Sequence, residues 1–361
     1  MTIETAVNEA TVDPAEVEAV MGKAIEELAA TAGVLLNTVG IRTGLWRALA
    51  GAGRLTAGAA AERAALAEPY VREWLRSQAA AGYVVYDPVA ETFTLPHAVA
   101  GVFADDVQAG FLDGFARMLQ AMSGDLPLNE EAFRTGRGVG WHEHSPAHWD
   151  GMDAATRSVV GSVLVRAWLP ALEGVEEKLT AGATVGDVGC GYGAPLITMA
   201  QAFPRSRFFG FDYHDASIAR ARQAAAEAGV GDRVRFEVAT AKDLPDRRYD
   251  LVTYFDTFHD LGDPLGALVR TRDVLADDGT VLLVEFNAGD RVEDNFTPFG
   301  RLAYAASALV CTPNALSQEG HPLGTLVGEV KLTEQAHAAG FARVRRTPVE
   351  APVNLLLELK R

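Results

Sequence analysis

The stretch Val185-Gly186-Asp187-Val188-Gly189-Cys190-Gly191-Tyr192-Gly193 limits what this chain can fold into more than any other part of it. It reads as a strand that ends in a glycine-rich turn, and residues 194–203 follow as an amphipathic helix. Gly189, Gly191 and Gly193 stand at alternate positions, so backbone can approach a ligand without interference from Cβ atoms. The helix behind them offers its free N–H groups at the same place. A strand, a Gly-x-Gly-x-Gly turn and a helix in succession read as a nucleotide-cofactor site. A structural turn that binds nothing is the other reading of the same glycines.

The glycines do not name the cofactor, because with Ala194 in sixth place they also satisfy the dinucleotide pattern G-x-G-x-x-G/A. Asp187, two residues before the first glycine, helps to decide. A carboxylate at the strand end repels an anionic pyrophosphate. It favours S-adenosylmethionine (SAM), which carries a sulfonium and an ammonium.

Composition narrows the class further. The 361 residues suit one large or two modest domains, and the net charge of −16 argues against a general affinity for nucleic acid or anionic membrane. The two cysteines, Cys190 and Cys311, are too few for a disulfide framework and fit a reducing cytosol, so a cytoplasmic protein is expected. Residues 1–20 carry glutamates and no apolar core, unlike a signal peptide. No apolar run reads as long enough to span a bilayer.

Residues 1–14 are expected to be a frayed tail. Helical periodicity covers 17–32 and continues to 50. Two short helices are expected over 55–67 and 69–81, and a hairpin pairs 83–86 with 92–95 around Asp87-Pro88. Three helices and a hairpin make a winged helix. The helix that would read DNA, residues 68–82, sets Arg72 and Arg76 against Glu68 and Glu73 and is neutral, whereas DNA readers show a basic face. The alternative is a domain that packs on a second subunit and partly covers a substrate pocket. A helix is expected over 103–122, a loop rich in glycine and histidine over 136–151, and another helix over 159–168.

From Thr184 strands and helices alternate: strands at 208–211, 234–238, 249–255 and 281–286, with helices at 217–228 and 264–275. Such alternation implies a parallel sheet covered on both faces. The end differs, since 341–347, a turn at 348–352 and 353–359 look like an antiparallel hairpin. The expected division is a winged-helix domain over 1–105, a helical linker with a histidine-rich lid loop over 106–165, and a cofactor-binding domain over 166–361.

With these features the chain resembles the class I SAM-dependent methyltransferases, and its front end resembles both the small-molecule O-methyltransferases and a group of actinobacterial methyltransferases with a winged helix. The resemblance implies an α/β fold: a Rossmann-like methyltransferase sheet closed by a terminal antiparallel hairpin, preceded by a mostly helical winged-helix domain. Motif I is residues 187–193. Asp212, in Phe209-Gly210-Phe211-Asp212-Tyr213-His214, is the acid that binds the ribose diol in the family. The segment Ala239-Thr240-Ala241-Lys242-Asp243 resembles the one that flanks adenine. Thr240 stands where an aspartate is usual, so the adenine contact falls to backbone around Ala241 and Lys242.

The strand at 249–255 runs into Phe255-Asp256-Thr257-Phe258-His259-Asp260. Phe255 and Asp256 border the cofactor. In winged-helix O-methyltransferases a His-Asp pair follows this strand and its histidine is the general base, which puts that role on His259. A histidine with a pKa near neutral can take the proton of a hydroxyl, amine or enol as the methyl moves. Asp260 orients His259 or caps the loop, and the bland reading of His259 is a cap as well. Glu285 and Asn295 follow the fifth strand and are expected in the substrate pocket, although surface placement fits too. Tyr304, Cys311 and His321 belong to an insert of the kind that covers a pocket, with Cys311 as packing.

Trp141, His142 and His144 are the expected substrate contacts of the lid loop; if the loop is extended, both histidines face one side. A metal site needs three or four converging ligands, with His148, His259 and His321 as the other candidates, and none is expected. The function read from all this is SAM-dependent O-, N- or C-methylation of a small acceptor by a homodimer that binds neither nucleic acid nor membrane. The rivals are a SAM-sensing regulator without turnover, metal-assisted C-methylation of an α-keto acid, and a nicotinamide oxidoreductase.

Overall fold

The computed structural model describes residues 12–361 apart from Pro352. Most of the expected tail, and the last residue of the expected turn at 348–352, lie outside the described residues. The chain divides into two compact units, one up to Ala116 and one from Arg117 onward.

In the first unit, α1 (Pro14–Arg42) starts at Asp13, whose side chain accepts from Ala15 N at 3.0 Å, with proline in the first turn. α2 (Leu45–Leu49), α3 (Ala57–Ala64) and α4 (Glu68–Ala80) follow. β1 (Val85–Asp87) pairs antiparallel with β2 (Thr92–Thr94), and Leu55 bridges to Phe93. That bridge explains why α3 begins later than expected: Leu55 extends the hairpin, and Thr56 caps the helix through a bond from Ala59 N. Trp46, Trp74 and Phe103 form the centre of the core, with Trp46 stacked on Phe103 at 4.5 Å. α5 (His97–Phe103) ends there. The expected helix over 103–122 is α6 (Asp106–Gly124), shifted because Asp105 caps it, accepting from Val107 N and Gln108 N.

By length and composition α1 is apolar enough to cross a membrane, although Glu26 and Glu27 sit within it. Many alanines and valines reach this threshold without any continuous apolar block.

The second unit begins within α6 and continues with α7 (Leu126–Thr135). The expected loop over 136–151 is shorter, because Trp141–Glu143 is a turn of 3-10 helix and α8 (Pro146–Val163) begins at a proline suited to a first turn. A π-helical segment, Leu164–Trp168, and α9 (Val175–Ala181) lead to the sheet.

The elements of the sheet region are β3 (Thr184–Val188), α10 (Ala194–Ala202), β4 (Arg207–Asp212), α11 (Asp215–Glu227), β5 (Val234–Val238) and β6 (Tyr249–Phe255). Then come α12 (Pro264–Val274), β7 (Leu275–Phe286), α13 (Pro298–Ala306), α14 (Thr312–Ser317), α15 (Glu329–Ala338), β8 (Arg343–Arg346) and β9 (Asn354–Lys360). β7 starts earlier than expected, opposite Tyr249, and a register irregularity between Tyr249 and Leu251 accommodates Asp277-Asp278-Gly279.

The strand order is β5-β4-β3-β6-β7-β9-β8. The first five are parallel, and β9 runs antiparallel to both β7 and β8. Both faces of the parallel part are buried, as Val185, Phe208, Leu251 and Leu282 on one side and Val188, Phe211, Val252 and Leu283 on the other demonstrate. The chain leaves β3 in one direction to β4 and returns on its other side to β6. This reversal opens a crevice at the strand C-termini, where open α/β sheets hold ligands.

Candidate active site

The glycine turn closes that crevice. Gly189 N and Cys190 N both donate to Phe211 O, at 2.8 and 3.0 Å, which ties the turn to β4. Gly189 has φ +68°, and a Cβ there would lie 2.1 Å from Thr257 Oγ1. Gly191, at φ +50°, has nothing within 4 Å of such a Cβ. Its N–H donates to Asp212 Oδ2 at 3.0 Å, and His214 N donates to Asp212 Oδ1 at 2.9 Å. Asp187 is buried at 1% exposure and accepts from Thr253 Oγ1, its register partner on β6, at 2.7 Å.

A cavity of about 380 Å³ lies against this turn. Asp187, Gly189, Gly191, Asp212, Tyr213, Ala241, Lys242, Phe255 and Asp256 line it, together with Trp141 and Asp260. Gly193, the N-cap of α10, does not, and neither do His142, His144, His259, Glu285, Asn295 or Tyr304. Thr240 also lines the cavity and spends its hydroxyl on Asp243 Oδ2 at 2.5 Å, while Lys242 pairs with Asp263 at 3.4 Å.

Burial pushes Asp187 up to about 7, against the Thr253 bond, and the charge of Asp212 adds to the rise. Asp212 is itself raised by burial. Asp256 goes to about 7, first through burial and then through Glu285. Asp256 also holds a left-handed backbone at φ +49°, an uncommon conformation for a non-glycine residue, and Asn354 Nδ2 donates to its carboxylate at 3.1 Å. Buried carboxylates whose pKa values are raised form a site suited to a cation.

Beside the cavity lies His259, in a 3-10 turn over Phe258–Asp260. Its Nδ1 is 2.5 Å from Glu285 Oε2, while Glu285 Oε1 accepts from Phe258 N at 2.8 Å and His259 N at 3.3 Å. Glu285 is 1% exposed, so its carboxylate is committed to this turn. On the other side His259 Nε2 lies 3.4 Å from Asp260 Oδ1. Burial opposes a charged imidazole, but Glu285 and then Asp260 outweigh it and hold His259 well above the ordinary histidine pKa. Atoms of His259, Asp260 and Cys311 lie within 4.8 Å of one another, the geometry of a three-ligand cluster. Burial and the charge of Asp260 push the Cys311 thiol up to about 11. His142, His144, His148 and His321 do not belong to this cluster.

The lid loop is folded rather than extended. The 3-10 turn separates its histidines, leaving His142 exposed and His144 buried with Nδ1 2.8 Å from Asp125 Oδ2. His144 stacks on His148 at 5.0 Å, and the edge of Trp141 meets both rings. Burial, and then the charge of His144, lower His148 to about 4. Trp141 N donates to Tyr213 Oη at 2.9 Å and Asn314 Oδ1 at 3.1 Å. Asn295 spends its amide on Gly289 and Arg291 backbone, and Tyr304 reaches Val292 O at 3.5 Å and borders a separate surface pocket with Phe133 and Arg137.

Sequence reasoning missed Asp125, Asn314, Gln318 and Asn354. Asn314 joins three segments, since it also donates to Asp260 O, and Gln318 donates to the same carbonyl. Their spacing of four on one helical turn is the only trace in the sequence, and it is common.

The chain resembles known proteins in both of its parts. Residues 179–327 match the family model described as a methyltransferase domain, and residues 30–104 match that of an Rv2258c-like winged HTH domain. A 27-O-demethylrifamycin SV methyltransferase of Amycolatopsis mediterranei is 34% identical over 110 residues, which are 30% of this chain and 40% of that protein. The match therefore spans two fifths of that relative. Among solved structures, human N-acetylserotonin methyltransferase in complex with SAM superposes with a TM-score of 0.65 at 18% identity, covering 97% of this chain and 99% of that one. An O-methyltransferase family protein of Burkholderia thailandensis superposes with a TM-score of 0.65 at 16% identity, covering 95% and 97%.

Proposed function

We propose, for a chain that carries a methyltransferase domain with the class I fold behind a winged HTH domain, that it is a SAM-dependent methyltransferase acting on a small molecule. The observation that carries this reading is the trio Asp187, Asp212 and Asp256 around one cavity, all raised by burial, with Asp212 adding to the rise of Asp187 and Glu285 to that of Asp256. Such a site repels a pyrophosphate and favours a ligand that is a cation at two points. The residues fit SAM: Gly191 leaves open space, and the Asp212 carboxylate, with two backbone donors, retains lone pairs for ribose hydroxyls.

When bound, the cofactor supplies an electrophilic methyl group on a sulfonium. The chain's own work is positioning and proton removal. His259 takes the acceptor proton at Nε2. Supporting this, Glu285 Oε2 engages Nδ1 while its Oε1 is held by two backbone donors, so the ring orientation is fixed. Asp260 is the member of the pair at the cavity wall. Trp141, held by Tyr213 and Asn314, forms a wall for the acceptor.

The same reading takes the protein as a cytoplasmic homodimer that does not bind nucleic acid. The arginines of α4 support the last point, as Arg72 pairs with Glu68 at 3.1 Å and Arg76 with Glu73 at 2.7 Å. Titration calorimetry tests the central assignment. SAM and its demethylated product are expected to bind and NAD is not; tight NAD binding overturns it.

A further inference from the structure

The two residues that follow Asp212 at the end of β4, Tyr213 and His214, link that carboxylate to the opposite wall of the cavity. Tyr213 Oη accepts from Trp141 N at 2.9 Å and donates to Asn314 Oδ1 at 2.9 Å, and the same Trp141 N–H reaches Asn314 Oδ1 at 3.1 Å. Burial pushes the Tyr213 pKa up, so its hydroxyl keeps the proton that this donation needs. Trp141 O accepts from Trp149 Nε1 at 3.0 Å, and the Trp149 ring lies 4.4 Å from that of His214. Both backbone groups of Trp141 are therefore linked to the segment that begins with Asp212. Asn314, buried at 4% exposure, carries the link onward, because its Nδ2 donates to Asp260 O at 3.2 Å. Gln318, at the C-cap of α14, donates to the same carbonyl at 3.2 Å, and its Oε1 accepts from Gly262 N at 3.2 Å. The turn that carries His259 is thus held at its start by Glu285 and at its end by these two amides. Only one orientation of Asn314 satisfies its partners, with the oxygen towards two donors and the nitrogen towards a carbonyl.

We infer that Tyr213, Asn314 and Gln318 are positioning residues that set the Trp141 wall and the His259 turn relative to the methyl donor. The path is continuous. Asp212 joins Tyr213 along the chain, a hydroxyl joins Tyr213 to Asn314, and an amide joins Asn314 to Asp260. A ribose held by Asp212 restrains the first member, and each bond passes that restraint to the next. Methyl transfer needs donor, acceptor and base aligned together, and a misplacement of about 1 Å can cost about 10²-fold in rate. The coupling is reciprocal: a ligand that binds better when the bridge is ordered also orders the bridge. Tyr213 supplies the critical atom, because phenylalanine fills the same space and offers neither the lone pair nor the proton.

The inference rests on the SAM reading proposed above, and its test uses the demethylated product, S-adenosylhomocysteine, without any acceptor. Hydrogen–deuterium exchange of the full chain is read by mass spectrometry with and without this product. In the wild type the product is expected to slow exchange about tenfold over residues 139–145 and 257–262. Tyr213→Phe should still bind the product, with the slowing reduced to about twofold in both segments. Gln318→Ala, at an exposed residue, should reduce the slowing at 257–262 and leave it unchanged at 139–145. A merely structural role raises exchange equally in the free and bound protein and leaves the bound-to-free ratio as in the wild type. That ratio, unchanged in a folded Tyr213→Phe, overturns the inference. Where circular dichroism shows Tyr213→Phe to be unfolded, an unchanged ratio at 257–262 in Gln318→Ala overturns it instead. A wild type that binds the product without slowing in either segment overturns the bridge alone. A wild type that does not bind the product overturns the SAM reading and the bridge with it.

Discussion

The residue that most rewards measurement is His259. If it is the base, His259→Ala leaves SAM affinity nearly unchanged and lowers turnover by about 10²–10⁴. Its surroundings fix the sign of a pH effect. Glu285 and Asp260 stabilise the imidazolium, so the free base exists only above a raised pKa and the acidic limb of kcat/KM has its midpoint above 6.5. Glu285→Gln removes one of those charges, so the midpoint moves to lower pH while the rate falls through lost orientation. A midpoint that stays put in Glu285→Gln speaks against His259 as the titrating group. Asp187 offers a second sign. At about 7 in the free protein, it ionises as pH rises through neutrality, and a cationic ligand binds the ionised form better. SAM affinity therefore strengthens from pH 6 to pH 8, and Asp187→Asn should flatten that dependence in calorimetry.

At the scale of the element, the turn after β3 separates stability from binding. Gly189→Ala places a Cβ at φ +68° and 2.1 Å from Thr257 Oγ1, a backbone and steric conflict at once. It is expected to destabilise by about 1–3 kcal/mol, read as a fall in the thermal midpoint. Gly191→Ala meets open space, so its stability cost is limited to the left-handed backbone, about 1–2 kcal/mol. Its methyl group faces the cavity, so the loss appears mainly in SAM affinity. Equal effects of the two variants on binding and on stability would contradict this division of labour. The 3-10 turn at Trp141–Glu143 illustrates the same point: one change of local winding sends His142 to solvent and His144 to the interior.

For the whole molecule, charge is the governing quantity. The chain carries a net charge of −16, and Arg72 and Arg76 of α4 are each paired with a glutamate, although the winged-helix architecture is widely used on DNA. No sequence-specific DNA binding is expected in a fluorescence-anisotropy titration at physiological salt. Nanomolar affinity that falls steeply with added salt is the contrary result.

Much of this was legible in the sequence because it is encoded locally. The glycines of the turn, the alternation of strands and helices, and the acids that end β3 and β4 each reflect a conformational preference or a charge carried by neighbouring residues. The antiparallel β9 could be read from the end of the chain in the same way. What only the tertiary structure decided are pairings between distant residues. Glu285 meets His259 across 26 positions, Thr253 meets Asp187 across 66, and Asn354 meets Asp256 across 98. Periodicity carries no trace of such pairs, yet they set the orientation of His259 and the state of the buried carboxylates. A pKa belongs to an environment rather than to a residue type, and that environment exists only once the chain has folded and excluded water from the site.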